Sequence, residues 1–311
     1  MAKLLYTTII LSLFSINVFS KVLTFPAGFK WCVAVSAHQV EGDNTGSDWW
    51  AWEHLPPVCD TQGKCECKIK NCESSGHACD HWNRLNEDVK ILTDLGVNQE
   101  NFTIEWAKVE PEPGRWDWDA VAHYRHELEL LKQNHISPII TLQHFTLPQW
   151  VRALGAWEWP GMTDAFSKFV FFTYTNIAPD VEEFITMNEP MANLVGGYLA
   201  GVTPPGGSDH QSSQRNARGL VSATPSPEAF QRIVPPLRGM LKAHAAAYWT
   251  LHRAAKDRGQ KLRIGIANYA IILDPASELN PLDWFAAKLL HQTFNWTFLD
   301  AVETGKVQLK V

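Results

Sequence analysis

The chain contains 311 residues, of which 45% are hydrophobic and 19% are charged, so it can bury a large core as one large domain or two ordinary ones. This composition excludes a disordered or low-complexity protein. The formal net charge is −6 and no run of Lys and Arg forms a basic patch, which argues against nucleic acid as a partner.

Residues 1–20 have the composition of a signal peptide. Lys3 provides the positive charge, residues 4–14 form the apolar segment, and residues 18–20 form a cleavage site that places the start of the mature chain near Lys21. The apolar segment is too short to span a membrane, and the sequence has no other apolar stretch of about 18 residues. The sequence therefore predicts a secreted protein, extracellular or periplasmic, without a membrane span. An uncleaved membrane anchor is the alternative.

Five of the six cysteines lie in an irregular segment at residues 59–79, while Cys32 stands apart. In an oxidising compartment, such a cluster predicts disulfide bonds that stabilise a long loop without a core of its own. Zinc is the competing interpretation, but the segment has no Cys-x-x-Cys pair and its spacings are irregular. The sequence does not determine the pairing, and we expect neither a metal nor a cofactor. The clustered cysteines are Cys59, Cys65, Cys67, Cys72 and Cys79.

From residue 31 onward, apolar strand-like runs alternate with amphipathic helices. Nearly continuous apolar strands are typical of a parallel sheet that is buried on both faces. A Gly, Pro and Ser-rich segment at 196–226 follows the fourth strand. The predicted strands are 31–37, 97–104, 137–142, 182–190 and 262–272. Two predicted helices begin at the caps Asp80 and Asp119. Three further predicted helices cover residues 163–177, 237–258 and 281–300.

Polar side chains follow these strands at the points where the strands end. The carboxyl ends of parallel strands in a β/α structure lie at one edge, where ligands bind, so these side chains are candidates for one sugar-binding site. Simpler explanations exist for some of them: His144 can be a hydrogen-bonded histidine near the core, and Gln39 or Asn268 can cap a loop. The candidates are Gln39, Glu105, His144, Asn188, Glu189 and Asn268.

Five motifs in order along the chain resemble the amino-terminal part of glycoside hydrolase family 1, the family of β-glucosidases and β-galactosidases. They are Ser-Ala-His-Gln-Val-Glu-Gly at 36–42, Ala-Cys-Asp-His-Trp at 78–82, Phe-Thr-Ile-Glu-Trp at 102–106, Thr-Leu-Gln-His-Phe-Thr-Leu-Pro at 141–148 and Ile-Thr-Met-Asn-Glu-Pro at 185–190. The resemblance covers nearly all of the mature sequence and implies an α/β fold of the (β/α)8 TIM-barrel type. About five of the eight β/α units are expected, so residues 21–311 would form a partial barrel domain with the segment 59–79 as a loop insertion.

The resemblance also implies roles for several candidates. Gln39 and His144 match residues that hydrogen-bond sugar hydroxyls, and Phe145 lies beside His144 in the same substrate-binding motif. Asn188 matches the residue that binds the 2-hydroxyl, and Glu189 matches the general acid/base. A retaining glycosidase also needs a carboxylate nucleophile about 5–5.5 Å from the acid.

Two features depart from the family pattern. The family nucleophile lies in a Thr-Glu-Asn-Gly-like motif after a later strand, and nothing here matches it, because Glu303-Thr-Gly follows a helix and is interpreted as solvated. Asn101 stands where the family usually has an Arg that keeps the nucleophile ionised. We therefore expect the 311-residue chain to be inactive alone. Asn101 and Asn295 also begin glycosylation sequons, although Asn101 is expected to face the barrel interior.

Three hypotheses for the function follow. The first is a secreted retaining β-glycosidase that acts on β-linked glycosides or oligosaccharides and is represented here by an incomplete chain. The second is a non-catalytic relative that binds a glycan or a protein partner, favoured by Asn101 and the unmatched nucleophile motif. An unrelated α/β hydrolytic fold is disfavoured because the sequence has no Gly-x-Ser-x-Gly motif. Five strands cannot close a barrel, so we expect the first and fifth strands to have unpaired edges and the inner face to be open to water.

Overall fold

The computed structural model describes residues 24–206 and 227–307 of the chain. The signal peptide predicted at residues 1–20 lies outside these described residues. The chain divides into two compact units, residues 1–30 and residues 31–311. All helices and strands described below belong to the second unit.

The second unit is built around a five-stranded parallel sheet whose strands follow one another in sequence order. Its strands are β1 (Cys32–Ala34), β4 (Gln99–Thr103), β5 (Ser137–Thr141), β6 (Glu183–Asn188) and β7 (Arg263–Ala267). Two short strands, β2 (Val58–Cys59) and β3 (Cys65–Glu66), pair with each other in the loop after β1. The five predicted strands are thereby confirmed, each shorter than expected. Because the pairing is parallel throughout, all five carboxyl ends lie at one edge of the sheet.

Helices connect the strands and cover the sheet. The longer helices are α3 (His81–Asp94), α5 (Trp118–Gln133), α7 (Met162–Asn176), α9 (Pro227–Asp257), α10 (Pro281–His291) and α11 (Thr297–Thr304). Short helices lie in the connections: α1 (Ala37–Val40), α2 (Asp48–Glu53), α4 (Trp106–Val109), α6 (Gln149–Ala153) and α8 (Pro190–Leu194). Helix α7 packs along α9, and α3 packs against α5. Within the described residues, no helix combines the length and apolar character that crossing a membrane requires.

Two predicted helix caps differ from the structure. Asp117, and not Asp119, caps α5: its carboxylate accepts hydrogen bonds from the amides of Asp119 and Ala120, each at 3.0 Å. Asp80 does precede α3, but its backbone is left-handed (φ 57°) and its side chain accepts no hydrogen bond from the helix amides. The Asp80 carboxylate instead accepts from Asn83 Nδ2 at 2.7 Å. Composition identifies the start of a helix, whereas the local backbone decides which acid caps it.

Burial depends on the position of each strand in the sheet. All five residues of β4 are buried, while the outer strands β1 and β7 have exposed residues alternating with partly buried ones. The apolar side chains Phe102, Ile140 and Phe184 join the hydrophobic core. Asn101, which alternates with Phe102 along β4, accepts a hydrogen bond from Thr141 Oγ1 at 2.6 Å. The sheet therefore has one face that packs into the core and one face with buried polar contacts.

Disulfide bonds stabilise the cysteine-rich loop, as predicted. One bond joins β2 to β3, and the other closes a short ring directly after β3. Cys79 takes no part in them and has an exposed free thiol, as does Cys32. In the part of the chain that the structure describes, no group of three or more His, Cys, Asp or Glu residues is arranged to hold a metal ion. The bonded pairs are Cys59–Cys65 and Cys67–Cys72.

The loop is attached to helix α2 by two contacts. Lys68 Nζ lies 4.7 Å from the centroid of the Trp52 ring, a cation–π distance. Ser75 Oγ donates a hydrogen bond to Glu53 Oε1 at 2.6 Å. The disulfide-bonded loop therefore packs against α2, the second helix after β1.

A buried polar cluster lies between β4, α3 and α5. His81 Nδ1 lies 2.7 Å from Asp88 Oδ2, and His81 Nε2 lies 3.5 Å from Glu127 Oε1. Burial alone would lower the pKa of His81, but the bonds and charges of these carboxylates outweigh it and raise the pKa to about 9. Glu100 is only 3% exposed, and its burial, with the nearby Glu127 charge, raises its pKa to about 8. The cluster therefore holds a carboxyl group that stays protonated at neutral pH.

Replacing Glu100 with Gln is expected to change how stability depends on pH. Because the pKa of Glu100 rises from 4.5 to about 8 on folding, the folded chain binds an extra proton between these values, and the free energy of unfolding falls as the pH rises through them. Gln cannot ionise, so the E100Q chain should lose this part of the decline, on the order of a few kcal/mol. Denaturant unfolding at pH 5 and pH 9 measures the difference. Glu129→Gln, on the exposed side of α5, is the control; an equal decline in E100Q and the unsubstituted chain would contradict the prediction.

Candidate active site

The carboxyl ends of the strands border a cleft of about 300 Å³. Its walls come from α1 and α2 after β1, from the segment after β5, and from α8 after β6. Among the described residues that line it, none is Asp, Glu, Lys or Arg. The cleft therefore combines aromatic, amide, hydroxyl and imidazole groups without a fixed charge. The lining residues are Ser36, His38, Gln39, Trp49, His144, Phe145, Thr146, Ala192, Asn193 and Thr203.

Glu189 lies where β6 ends and α8 begins. Its backbone is left-handed (φ 46°, ψ 56°), a conformation that non-glycine residues rarely adopt, and Pro190 follows as the first residue of α8. The Glu189 amide donates to Ala267 O of β7 at 2.7 Å, which fixes the residue against the neighbouring strand. Partial burial raises the pKa of Glu189, so the carboxyl group keeps its proton to a higher pH than an exposed glutamate does. A general acid needs this property.

Asn188 is buried at the end of β6, and its amide donates to Gln143 O at 2.9 Å. This bond joins β6 to the segment that follows β5. The side chains of Asn188 and Glu189 are not part of the lining of the 300 Å³ cleft, whereas Ala192 and Asn193 of α8 are. The predicted pair thus lies at the start of the short helix that forms one wall of the cleft.

The structure brings Gln39, His144 and Phe145 together in the cleft lining. His144 Nδ1 lies 3.3 Å from Thr103 Oγ1, and burial lowers the pKa of His144 to about 4. Its imidazole is therefore neutral at pH 7 and can both donate and accept hydrogen bonds, as a sugar hydroxyl does. The Phe145 ring meets the His144 ring edge to face, with centroids 5.4 Å apart. Gln39 is exposed on α1.

Glu105 differs from the sequence prediction, which made it a candidate for a sugar contact. It is 1% exposed. Asn44 Nδ2 and Thr146 Oγ1 donate to its Oε2 at 3.1 and 2.8 Å, and the Ala107 amide donates to its Oε1 at 3.1 Å. Glu105 therefore connects the segments after β1, β4 and β5. Because the carboxylate has almost no accessible surface, a sugar cannot contact it.

Asn268 and both sequon residues also make contacts within the protein. Asn268 Nδ2 donates to Asn295 O at 3.0 Å, which ties the end of β7 to the helical segment after α10. Asn101 is 8% exposed and bonded to Thr141, in agreement with the expectation that it faces inward. Asn295 is buried and hydrogen-bonds the backbone of Ile271 through both side-chain atoms. Neither sequon is therefore presented for glycosylation in the folded chain.

The sequence did not single out seven of the ten residues that line the cleft, which are Ser36, His38, Trp49, Thr146, Ala192, Asn193 and Thr203. Trp49 belongs to a tryptophan-rich stretch outside any strand end, so the strand-end pattern did not select it. The abundance of tryptophan, 14 residues, was the one available signal, because tryptophan faces pack well against sugar rings. Composition alone could not show which tryptophan lines the cleft.

A second cavity of about 370 Å³ lies among other loops and is lined by Glu41, Trp82 and Lys108, among others. Lys108 Nζ lies 3.0 Å from Glu41 Oε2 and 3.9 Å from the centroid of the Trp82 ring. The Trp82 ring also stacks on the His123 ring, with centroids 3.7 Å apart. The charge of Lys108 is thus already paired with Glu41 and Trp82 within this cavity. The cleft at the strand ends, which contains Gln39, His144 and Phe145, is the better candidate for an active site.

Comparison with known proteins identifies the family. The profile of glycosyl hydrolase family 1 matches residues 21–310, and the chain belongs to this family. It is similar to beta-glucosidase A of Thermotoga maritima, with 30% identity over 291 residues that cover 91% of this chain and 57% of that protein. It is also similar to the cytosolic beta-glucosidase of Homo sapiens, with 29% identity over 271 residues that cover 86% of this chain and 52% of that protein.

Solved structures agree with this assignment. The family 1 beta-glucosidase of Thermotoga maritima matches with a TM-score of 0.76 and 29% identity, covering 91% of this chain and 58% of that one. The beta-glycosidase of Pyrococcus horikoshii matches with a TM-score of 0.73 and 33% identity, covering 93% and 58%. The structural neighbours are TIM-barrel enzymes, and this chain spans a little over half their length. The resemblance drawn from the five motifs is confirmed.

Replacing Glu105 with Ala is expected to destabilise the fold, because the buried donors of Asn44 and Thr146 lose their acceptor. We expect the free energy of unfolding to fall by about 2–4 kcal/mol. Gln39→Ala changes an exposed residue of the cleft and should leave it within about 0.5 kcal/mol. Urea unfolding of both variants measures the contrast. A Glu105→Ala chain as stable as Gln39→Ala would show that Glu105 does not hold these segments together.

Proposed function

We propose that the protein is a retaining β-glycosidase of the β-glucosidase type, with Glu189 as its general acid/base. The observation that carries the proposal is the state of Glu189, a partly buried carboxyl group with a raised pKa in a left-handed conformation at the end of β6. The neutral cleft that contains Gln39, His144 and Phe145 supports a sugar as ligand. The names of the relatives, beta-glucosidases, support a β-linked glycoside.

In the proposed reaction, Glu189 donates its proton to the glycosidic oxygen as the bond between that oxygen and the anomeric carbon breaks. A carboxylate nucleophile bonds to the anomeric carbon and forms a glycosyl-enzyme. Glu189, now ionised, takes a proton from the water that attacks the anomeric carbon, and the sugar leaves with the nucleophile restored. Asn188 holds the 2-hydroxyl, while His144 and Gln39 hold other hydroxyls of the same ring.

We propose that the nucleophile comes from sequence that these 311 residues do not include. No Thr-Glu-Asn-Gly-like motif occurs among them, and Glu303 lies exposed on α11, where a solvated residue is expected. The coverage of 57% of the Thermotoga maritima beta-glucosidase A leaves room for further β/α units. The chain then represents about five of the eight units of a TIM barrel and is inactive alone.

Exposed apolar side chains after β7 support such further units. Ile272 and Leu279 are 89% and 95% exposed, and Trp284 and Phe285 are each more than half exposed. Four such exposed apolar side chains within 14 residues of the chain are unusual for a surface that stays in contact with water. Additional strands and helices that continue the sheet beyond β7 would cover them.

Secretion is part of the proposal. The two disulfide bonds fit an oxidising compartment, and the signal peptide predicted at residues 1–20 would direct the chain there. An extracellular or periplasmic glycosidase would meet its β-linked glycosides or oligosaccharides outside the cytoplasm.

A non-catalytic relative that binds a glycan or a protein partner is the second candidate, and Asn101 favours it. Asn101 is buried against Thr141 at a position where the family usually has a cation. Without that cation, the pKa of a neighbouring carboxylate would rise and its nucleophilicity would fall. Such a protein would bind glycans without cleaving them.

Turnover of p-nitrophenyl β-D-glucoside tests the assignment of Glu189. The 311-residue chain is expected to release no p-nitrophenol, because one carboxyl group cannot complete the double displacement. A chain extended through the coding sequence downstream of Val311 is expected to be active, and Glu189→Gln should lower its kcat by about 100- to 10,000-fold. Glu182→Gln, an exposed acid just before β6, is the matched control. Equal loss in both variants would contradict the assigned role.

The transcript separates the two candidates. If the transcript encodes further residues after Val311, including a strand that ends in a Thr-Glu-Asn-Gly-like motif, the catalytic proposal stands. An authentic stop codon directly after Val311, together with glycan binding but no turnover, would overturn it in favour of the non-catalytic relative.

A further inference from the structure

Three aromatic rings cluster on the helical surface of the protein, and none of them lines the cleft. Trp116 precedes α5, Trp118 is the first residue of α5, and Phe172 lies on α7. The rings of Trp116 and Phe172 stack with centroids 3.8 Å apart, and the Trp118 ring meets the Phe172 ring edge to face at 5.6 Å. Phe172 is buried, whereas Trp118 is 58% exposed. The cluster therefore presents one large indole to the solvent.

The backbone around Trp118 is held in place. The Asp117 amide donates to Val109 O of α4 at 2.9 Å. The Asp117 carboxylate caps α5, as described above. Because these bonds and the Phe172 ring position the indole before any ligand binds, a ligand orders little additional structure when it contacts the indole.

Arg125 lies on the same side of α5 as Trp118. The two residues are seven positions apart, which is two helical turns and about 10 Å along the helix axis. Arg125 is exposed, and its Nε donates to the backbone oxygen of Asn176, the last residue of α7. The guanidinium thus lies where α5 meets α7, and its remaining N–H groups can donate to a ligand. A ligand that contacts both Trp118 and Arg125 must be longer than a single sugar ring.

The further β/α units proposed above would not cover Trp118. The sheet runs in the order β1, β4, β5, β6 and β7, so its open edges are β1 and β7. Helix α5 follows β4 and α7 follows β5, whereas added units would place their helices next to the open edges. The exposure of Trp118 therefore has a different cause from that of Ile272 and Leu279 after β7.

The surroundings of Trp118 favour a neutral glycan as the ligand. An anionic ligand would meet the carboxylates of Asp117 and Asp119, which flank Trp118 in the chain. The nearby Arg115 is already paired with Glu112 at 2.9 Å. A stable interface with another protein buries about 1,200–2,000 Å² in total, far more than one indole among charged residues offers. An exposed indole with a guanidinium on the same helix face suits the apolar face and the hydroxyl groups of a sugar chain.

We propose that Trp118 and Arg125 form a second glycan-binding site, on the surface of α5 and separate from the cleft, which binds a neutral β-linked polysaccharide. Only the β linkage in this inference rests on the proposed function. The site contributes binding without chemistry: it holds the protein on a polymer and raises the effective concentration of glycan near the cleft.

Native electrophoresis of the 311-residue chain tests the inference, with a soluble mixed-linkage β-glucan in the gel at several concentrations. Dextran, an α-linked glucan, is the linkage control. The unsubstituted chain is expected to be retarded by the β-glucan and not by dextran. Trp118→Ala is expected to weaken the apparent affinity for the β-glucan by about tenfold, whereas Trp118→Phe, which keeps an aromatic ring, should stay within about threefold.

Trp249→Ala is the matched control, because Trp249 is 53% exposed on another helix, α9. His144→Ala changes the cleft instead. Both variants are expected to keep the retardation of the unsubstituted chain. A loss in either variant as large as that in Trp118→Ala would overturn the inference, since binding would then be a general property of exposed indoles or would occur in the cleft.

Three other results would also overturn the inference: equal retardation of Trp118→Ala and the unsubstituted chain, equal retardation by dextran and the β-glucan, or no retardation at all. None of these results bears on the turnover of p-nitrophenyl β-D-glucoside by the extended chain. Failure of the surface site is therefore distinguishable from failure of the proposed function.

Discussion

The hydrogen bonds of one buried carboxylate, that of Glu105, hold the walls of the cleft together. It accepts from Asn44 after β1, from the Ala107 amide after β4 and from Thr146 after β5. The Tyr124 hydroxyl extends the network, since it accepts from the Glu105 amide and donates to a second buried carboxylate. Polar segments can be buried only when their donors find acceptors. This network therefore decides where the segments that carry the candidate sugar contacts can lie.

The acidic groups of the chain are distributed so that the cleft stays neutral. Glu41, Asp48 and Glu100 are buried elsewhere, and burial raises their pKa values to about 7, 7 and 8. The formal net charge of −6 counts these three groups as ionised. None of the Asp and Glu residues that the structure describes lines the cleft. Burial is also the cause of the raised pKa of Glu189. The proposed role of Glu189 as a proton donor therefore depends on exclusion of water more than on a charged neighbour.

The sequence predicts the sheet well because most of its strands leave short apolar runs, although the buried strand β4 is largely polar. The end of the apolar run at Pro190 locates Glu189. It fails at Glu105, since the partners that bury this acid, Asn44 and Thr146, are 61 and 41 residues away along the chain. Strand-end position and accessibility are separate properties, and only packing determines the second. Trp49 could not be predicted as a cleft residue for the same reason, because its place depends on a helix that is bonded to a segment far along the chain.

The left-handed backbone at Glu189 has an evolutionary consequence. A non-glycine residue in this conformation costs about 1–2 kcal/mol, a cost that glycine would remove. Selection for folding alone would therefore replace Glu189 by glycine or asparagine, whereas it would retain Glu105. Selection for the proposed proton transfer would retain both. Among descendants of this gene, the order in which these two glutamates are lost would distinguish a lineage that has lost the proposed catalysis from one that has lost stability.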